Sequence, residues 1–259
     1  MKDPKYSKTS VEGDYGYSIP INDFFQCALS VDCTIIGYHQ GELKVLLIKR
    51  GAEPFKGQWA LPGDLMYPNE DLNEAAKRVL SHLTGLSDVF LHQVKVFGEV
   101  DRHPMGRVIT VGYFSLLKIV DYNPKASAWA HQLDWHPLRE VPELAFDHKP
   151  ILEASLNALR KLIWEENLGF KLLPEKFTLG QIQKLYEAIL EEKFDKANFR
   201  KKILGTDLLL PLQENETNVS HRPAKLYALN KSNDQKEKGV ECGAASLSAL
   251  DITLNATKA

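Results

Sequence analysis

The chain has 259 residues, 44% of them hydrophobic and 25% charged, with a formal net charge of −2. At roughly 100–200 residues per domain, that length holds one large domain or two modest ones, and the composition excludes collagen-like, fully disordered and coiled-coil chains. No apolar run approaches the ~20 residues of a membrane span, and a charge this near neutral gives no whole-chain field for nucleic acid. The cysteines Cys27, Cys33 and Cys242 lack CxxC spacing, which argues against a disulfide framework or zinc knuckle and for a reducing cytoplasm.

Residues 1–20 are polar, with no apolar core behind them; they predict a loose arm and no secretory leader. Gln26 to Ile36 is β-branched and apolar, and Leu43 to Lys49 repeats that character after a turn at His39–Glu42, so the pair predicts a hairpin packed on a core. A Gly- and Pro-rich loop spans Gly51 to Pro68. From Asp71 to Leu83, Leu72, Ala75, Ala76, Val79, Leu80 and Leu83 recur at helical spacing, and Gly85 stops the helix. Strands are predicted at 93–100, 108–118 and, briefly, 135–138, followed by an amphipathic helix over 151–166.

The pattern changes near Leu168–Pro174. Thr178 and Gln181 fit a capping box ahead of a helix carrying Ile182, Leu185, Tyr186 and Ile189 on one face. Asp195 is placed to cap a second helix, 196–204. Two strands, 208–212 and 225–229, joined by a polar loop from Gln213 to His221, complete the order of a winged helix-turn-helix. The domains are therefore read as an arm (1–20), an effector-binding domain (21–167), a DNA-binding domain (168–231) and a disordered tail (232–259).

The segment Leu61–Leu86 resembles the Nudix box, whose pattern is Gly, five residues, Glu, seven residues, then Arg-Glu-apolar-x-Glu-Glu-x-Gly-apolar. Pro62-Gly63, Pro68, Glu70, Leu72, Ala75-Ala76, Arg78, Leu80 and Thr84-Gly85-Leu86 are retained. In that family three glutamates on one helix face hold Mg²⁺, which activates water against a pyrophosphate. Here Val79, His82 and Leu83 occupy those positions, and Asp64 replaces the leading glycine. Two apolar side chains give a hard cation no ligand, so the resemblance implies the fold without the hydrolytic centre: no enzyme, no metal and no cofactor. Glu74 and Arg78, four apart, read as a helix-stabilising ion pair. The resemblance continues through Phe97–Phe114 and Ala145–His148, and it gathers Arg50, Trp59, Asp64, Glu70, Asp101, Arg102, His103 and Arg107 as candidate effector-binding residues. Guanidinium forks suit phosphate or carboxylate, and an indole suits a sugar or base. For Trp59 a place in the core competes with that role, and His136 reads as structural.

Lys193–Lys202 holds five basic residues against one acidic. On a helix, Phe199 and Ile203 point inward while Lys196 and Arg200 share another face with Asn198, Lys201 and Lys202 nearby. These are the side chains that read base edges or grip phosphates. Thr178, at the start of the first helix, and Arg222 and Lys225, on the wing, are added as DNA contacts. Alone, such a run is more often a solvated helix face; between a capped helix and a hairpin it becomes a recognition helix.

Taken together, residues 24–230 resemble the Nudix-related transcriptional regulators. That resemblance implies an α+β chain: a Nudix-like α/β/α sandwich with a mixed sheet, then a winged helix. It implies a cytoplasmic homodimer on a palindromic double-stranded DNA operator, with no membrane partner, repressing until a small effector binds. The effector is ADP-ribose in one branch and a pentose such as arabinose in another. Asp64, by repelling an unscreened diphosphate, tilts the expectation towards the neutral sugar. Two alternatives stand beside it: a Nudix hydrolase of nucleoside diphosphate derivatives such as ADP-ribose, using Glu70 and Glu74, and a protein-docking module.

Overall fold

The computed structural model describes residues 10–12, 18–20, 27–87, 89–126, 130–165, 167–217 and 222–230. Within the expected loose arm, β1 (Ser10–Glu12) and β2 (Ser18–Pro20) pair antiparallel as a sheet of their own. The tail after Asn230 lies outside the described residues.

The larger sheet has seven strands: β3 (Ala28–His39), β4 (Glu42–Arg50), β5 (Trp59–Ala60), β6 (Gly63–Leu65), β7 (His92–Phe97), β8 (Val108–Lys118) and β9 (Ala130–Pro137). β3 and β8 run parallel in unbroken register from Ala28↔Val108 to Tyr38↔Lys118, and the other pairs are antiparallel, so the sheet is mixed as expected. β9 is longer than the four residues the sequence suggested because it pairs with β4 from Lys44 to Arg50.

Helices cover both faces, and strand alternation decides what each meets. Val31, Cys33 and Ile35 of β3, with Leu46, Ile48, Val111 and Tyr113, form one buried cluster with Ala75, Ala76, Val79, Leu80 and Leu83 of α1 (Leu72–Thr84). The intervening residues face α2 (His148–Glu165): Ser155 donates to Thr34 at 2.9 Å, and Ile36, Phe114 and Leu116 join Leu159 and Ile163 in the second cluster. α1 starts on a capping box: Asp71 accepts from the N–H groups of Asn73 and Glu74, and Glu74 accepts from that of Asp71. The expected Glu74–Arg78 pair is therefore not made; Glu74 is engaged at the cap, and Arg78 turns to Glu70.

A short 3₁₀ turn, Leu168–Leu172, leads to α3 (Leu179–Leu190) and α4 (Lys196–Leu204), then to β10 (Leu209–Asn215) and β11 (Lys225–Leu229). β10 takes in Gln213–Asn215, which the sequence placed in the loop. Phe177 exchanges backbone hydrogen bonds with Tyr227 at 2.8 and 2.9 Å and adds a third short rung to the wing. The winged helix does not stand apart. Leu168, Phe170, Leu172, Ile182, Leu185, Ile189, Phe199 and Ile203 belong to the same apolar cluster as Ile36, Phe114, Leu159 and Ile163. At ~1.5–3 kcal/mol for each fully buried large apolar side chain, that shared core packs the two domains against each other. No helix among the described residues is long and apolar enough to cross a membrane.

Candidate effector cleft and helix-turn-helix face

The cleft arises because β3 and β4 diverge. They pair only from Ile35↔Leu46 to His39↔Glu42; beyond that the segment 59–65 fills the gap, with β5 on β4 and β6 on β3. The opening, about 260 Å³, is bounded by Ser30 and Asp32 of β3, Arg50 of β4, Asp64 of β6, and His148 at the start of α2.

Asp32 and His148 set its floor. Asp32 is 6% exposed, and burial pushes its carboxyl up to about 7 against the opposing charge of Arg102. A Cβ at residue 63 would stand 1.7 Å from Asp32 Oδ1, so only glycine fits beneath that carboxylate. His148 is held neutral, its pKa pushed by burial down to about 3. Its Nδ1 accepts the Leu61 N–H at 2.9 Å, which leaves the ring proton on Nε2, 3.6 Å from Asp32 Oδ1. The Arg102 side chain is 4% exposed: it grips Asp147 in a bidentate pair at 2.8 and 2.5 Å and donates to Thr110 Oγ1. Above the floor, His103 stacks on Phe146 with centroids 5.0 Å apart, and the Arg50 guanidinium carbon lies 4.8 Å from the centre of the same ring.

Of the eight residues expected to bind effector, Arg50, Asp64, Arg102 and His103 line this cleft, and the other four are placed elsewhere. Trp59 is half-buried and packs edge-on against His136 at 4.5 Å beside the Val45–Leu47 cluster, outside the cleft lining. Glu70 clamps Arg78 at 2.6 and 2.8 Å; that hydrogen-bonded pairing holds its carboxyl down at about 2. Asp101 is exposed in the β7–β8 connection. Arg107 donates to the carbonyls of Gly98 and Glu99 at 2.7 and 2.9 Å, which ties that connection down. Sequence reasoning passed over Asp32, and it met Phe146 and His148 only within the matched segment Ala145–His148, without a place in the cleft. The signal was an aspartate inside the apolar run of β3, where an unpaired carboxylate is costly.

On α1, Val79 (0% exposed) and Leu83 (1%) lie in the core, and His82 is exposed in the last turn. No group of three or more His, Cys, Asp or Glu that could hold a metal ion occurs among the described residues.

At the other end, α4 presents Lys196, Asn198 and Lys201 to solvent, with Arg200 and Lys202 half-buried. Phe199 and Ile203 anchor it, Phe199 against Phe194 at 5.6 Å and Tyr186 at 6.2 Å. The turn between α3 and α4 is locked from α3. Gln183 donates to the Phe194 carbonyl, and Glu187 accepts from Gln183, the Phe194 N–H and Lys193. Burial would raise the Glu187 carboxyl, but these donors together hold it below its usual value. Thr178 is 5% exposed and its hydroxyl accepts the Gln181 N–H, so it is the N-cap of α3 and not an outward-facing contact. Arg222 and Lys225 are exposed on the wing.

Residues 28–155 match the model of the NUDIX domain, and residues 169–229 match that of the NrtR DNA-binding winged helix domain. The chain is 32% identical over 210 residues to the ADPR responsive transcriptional repressor NtrR of Acinetobacter baylyi, covering 80% of this chain and 83% of that one. It belongs to the NrtR-like family of Nudix domains joined to a winged helix. The crystal structure of Shewanella oneidensis NrtR complexed with a 27mer DNA is similar to this NrtR-like chain across both domains. It shares 29% identity with a TM-score of 0.65, over 80% of this chain and 95% of that one. The effector domain alone is 35% identical over 126 residues to an ADP-ribose pyrophosphatase of Methanocaldococcus jannaschii, covering 49% of this chain and 71% of that one.

Proposed function

We propose that this chain is a cytoplasmic DNA-binding repressor that ADP-ribose releases from its operator. One observation carries the reading: α2 begins in the cleft and ends in the core that seats the helix-turn-helix. Its N-terminal His148 and the preceding Asp147 form part of the cleft network. Within its last two turns, Arg160 donates to the Ile189 carbonyl at 3.0 Å and pairs with Glu191 at 2.9 Å, just before the turn into α4. A ligand that tilts α2 therefore moves the recognition helix. In a homodimer on a palindromic site, two copies of α4 must sit about one DNA turn apart. A ligand with different affinities for the matched and unmatched arrangements shifts their populations.

In this reading Lys196, Asn198, Arg200, Lys201 and Lys202 meet the major groove, and Arg222 and Lys225 meet the backbone beside it. The working units are the effector domain, 21–167, and the DNA-binding domain, 168–231. The choice of ADP-ribose is supported by the activities of the Acinetobacter and Methanocaldococcus relatives. The chain senses and does not hydrolyse, because Val79 and Leu83 offer no oxygen to a divalent ion where the box helix would hold it.

A second effector, a free pentose such as arabinose, is favoured by the acidity of the cleft, where Glu53 and Asp64 join Asp32. Fluorescence anisotropy tests both. The duplexes come from upstream of the gene and its neighbours, at ~150 mM salt where non-specific binding is weak. Tight binding abolished by ADP-ribose is expected, with no loss of ADP-ribose in the presence of Mg²⁺. Release by arabinose alone would transfer the reading to the sugar, and no preference over scrambled DNA would defeat it.

A further inference from the structure

The cleft floor holds an acceptor and a donor with unused capacity. Asp32 faces the cleft, yet the nearest basic nitrogens, His148 Nε2 and Arg102 Nη2, stand at 3.6 and 3.7 Å, too far for a strong hydrogen bond. The Thr110 hydroxyl reaches it, but a carboxylate accepts about four hydrogen bonds. Arg102 is held back from the gap by its hydrogen bonds to Asp147 and Thr110. On the other side, His148 has its Nδ1 occupied by the Leu61 N–H and so presents an Nε2 proton to the same space.

Two such groups 3.6 Å apart are both within reach of a single oxygen that gives one proton and accepts another. A sugar hydroxyl is that group. A phosphate oxygen has no proton to give at neutral pH, so it cannot donate to Asp32, and it would face the Asp64 carboxylate at the rim. The volume agrees: about 260 Å³ falls under the ~300–1,000 Å³ of pockets that enclose a drug-sized ligand, which suits one sugar ring and leaves the rest of a dinucleotide outside.

We propose that Asp32 and His148 form a hydroxyl-reading pair, so that the floor of the cleft takes the sugar ring of the effector and any phosphates lie outward. This presupposes that an effector binds the cleft, and it covers both sources of the ring, a free pentose or the terminal ribose of ADP-ribose. Gly63 is part of the device, since any side chain there would displace the Asp32 carboxylate.

The test is calorimetric titration of the full chain and of its Asp32→Asn variant with ADP-ribose, ADP, ribose and arabinose. Wild type is expected to bind ADP-ribose or a free pentose. If ADP-ribose is the ligand, it binds about 10–100-fold tighter than ADP, which lacks the terminal ring, because losing the ring's hydroxyls leaves a buried acceptor unpaired. Asp32→Asn, checked for an intact melting transition, is expected to lower sugar affinity about 10-fold or more and to leave ADP affinity within about 3-fold. ADP binding as tightly as ADP-ribose on wild type overturns the proposal, and that comparison needs no variant. So does unchanged sugar binding in Asp32→Asn, or failure of all three sugar ligands to bind wild type. DNA release by ADP-ribose that ignores Asp32→Asn would sink the hydroxyl pair and spare the repressor reading. Asp32-dependent binding without DNA release would do the reverse.

Discussion

The cleft and α4 are both dense in charge, and they dispose of it in opposite ways. In the cleft domain each arginine is tied to the protein: Arg102 to Asp147, Arg78 to Glu70, Arg107 to two loop carbonyls, Arg50 to the Pro54 carbonyl. On α4, Lys196 and Lys201 are exposed and, with the half-buried Arg200, make no ion pair among the described residues; Phe199 and Ile203 anchor the helix in the core and Asp195 caps it. Charge that is satisfied internally shapes a site; charge left to solvent is available to a polyanion. Mutating each set should therefore damage different properties.

The largest effect is expected at Arg102. Replacing it with methionine strands Asp147 and Asp32, and breaking a buried pair by removing one partner costs about 3–5 kcal/mol. Urea denaturation should show that loss, while the molecules that remain folded keep their DNA affinity. A variant as stable as wild type would mean that the pair does not organise the cleft.

Next comes the pH response of the floor, where two buried groups act against each other. Asp32 is pushed up from 3.8 to about 7, so its contribution to stability is complete below about pH 4 and is lost as pH rises through about 7. His148 is pushed down from 6.5 to about 3, so its contribution is complete above about pH 6.5 and is lost as pH falls towards 3. Over pH 4–6.5 the two slopes oppose. Asp32→Asn removes the first, and its stability should climb with pH across that window relative to wild type, by a few kcal/mol at most. Parallel pH–stability curves for the two proteins would show that Asp32 does not titrate as its burial requires.

A smaller effect, confined to the other domain, is expected at Arg200. Arg200→Ala should weaken operator binding by about 1–3 kcal/mol if the side chain reads a base, with relaxed specificity at one position. Effector affinity and melting temperature should hold. Equal loss of DNA and effector binding would contradict the separation between the two regions.

What the sequence revealed follows the same division. Continuous apolar, β-branched runs exposed β3 and β4, which are buried on both faces; helical spacing exposed α1, α3 and α4, which each bury one face, and the order of the last elements was enough to place the winged helix. The cleft was half legible. Arg50, Asp64, Arg102 and His103 sit in polar loops or at strand ends, where a charged residue stands out. Asp32 was hidden inside an apolar strand, and His148 reaches its partner Leu61 across 87 residues of chain, a distance no local pattern encodes. Asp71 and Glu74 carried a capping-box spacing that competed with the i, i+4 pairing of Glu74 with Arg78, and the cap won. Thr178 was read both as a cap and as a DNA contact, and its burial leaves only the cap. The locking of the helix-turn-helix turn by Gln183 and Glu187 depends on how α3 faces residues 193–194, which only the fold supplies.

The mildest perturbation sharpens the comparison most, because it separates reading from gripping on a single helix. Lys201 is exposed at the last turn of α4 and makes no ion pair among the described residues. Its alanine variant should melt as wild type does, and its affinity should drop only several-fold, equally for operator and scrambled DNA. The informative quantity is the dependence on salt. Each phosphate contact adds about 0.9 to the slope of log affinity against log salt, so Lys201→Ala should flatten that slope by roughly one unit, whereas Arg200→Ala lowers affinity at a preferred base. An unchanged slope in Lys201→Ala would place this lysine off the backbone and turn the basic face of α4 so that Lys196 and Arg200 alone meet the DNA.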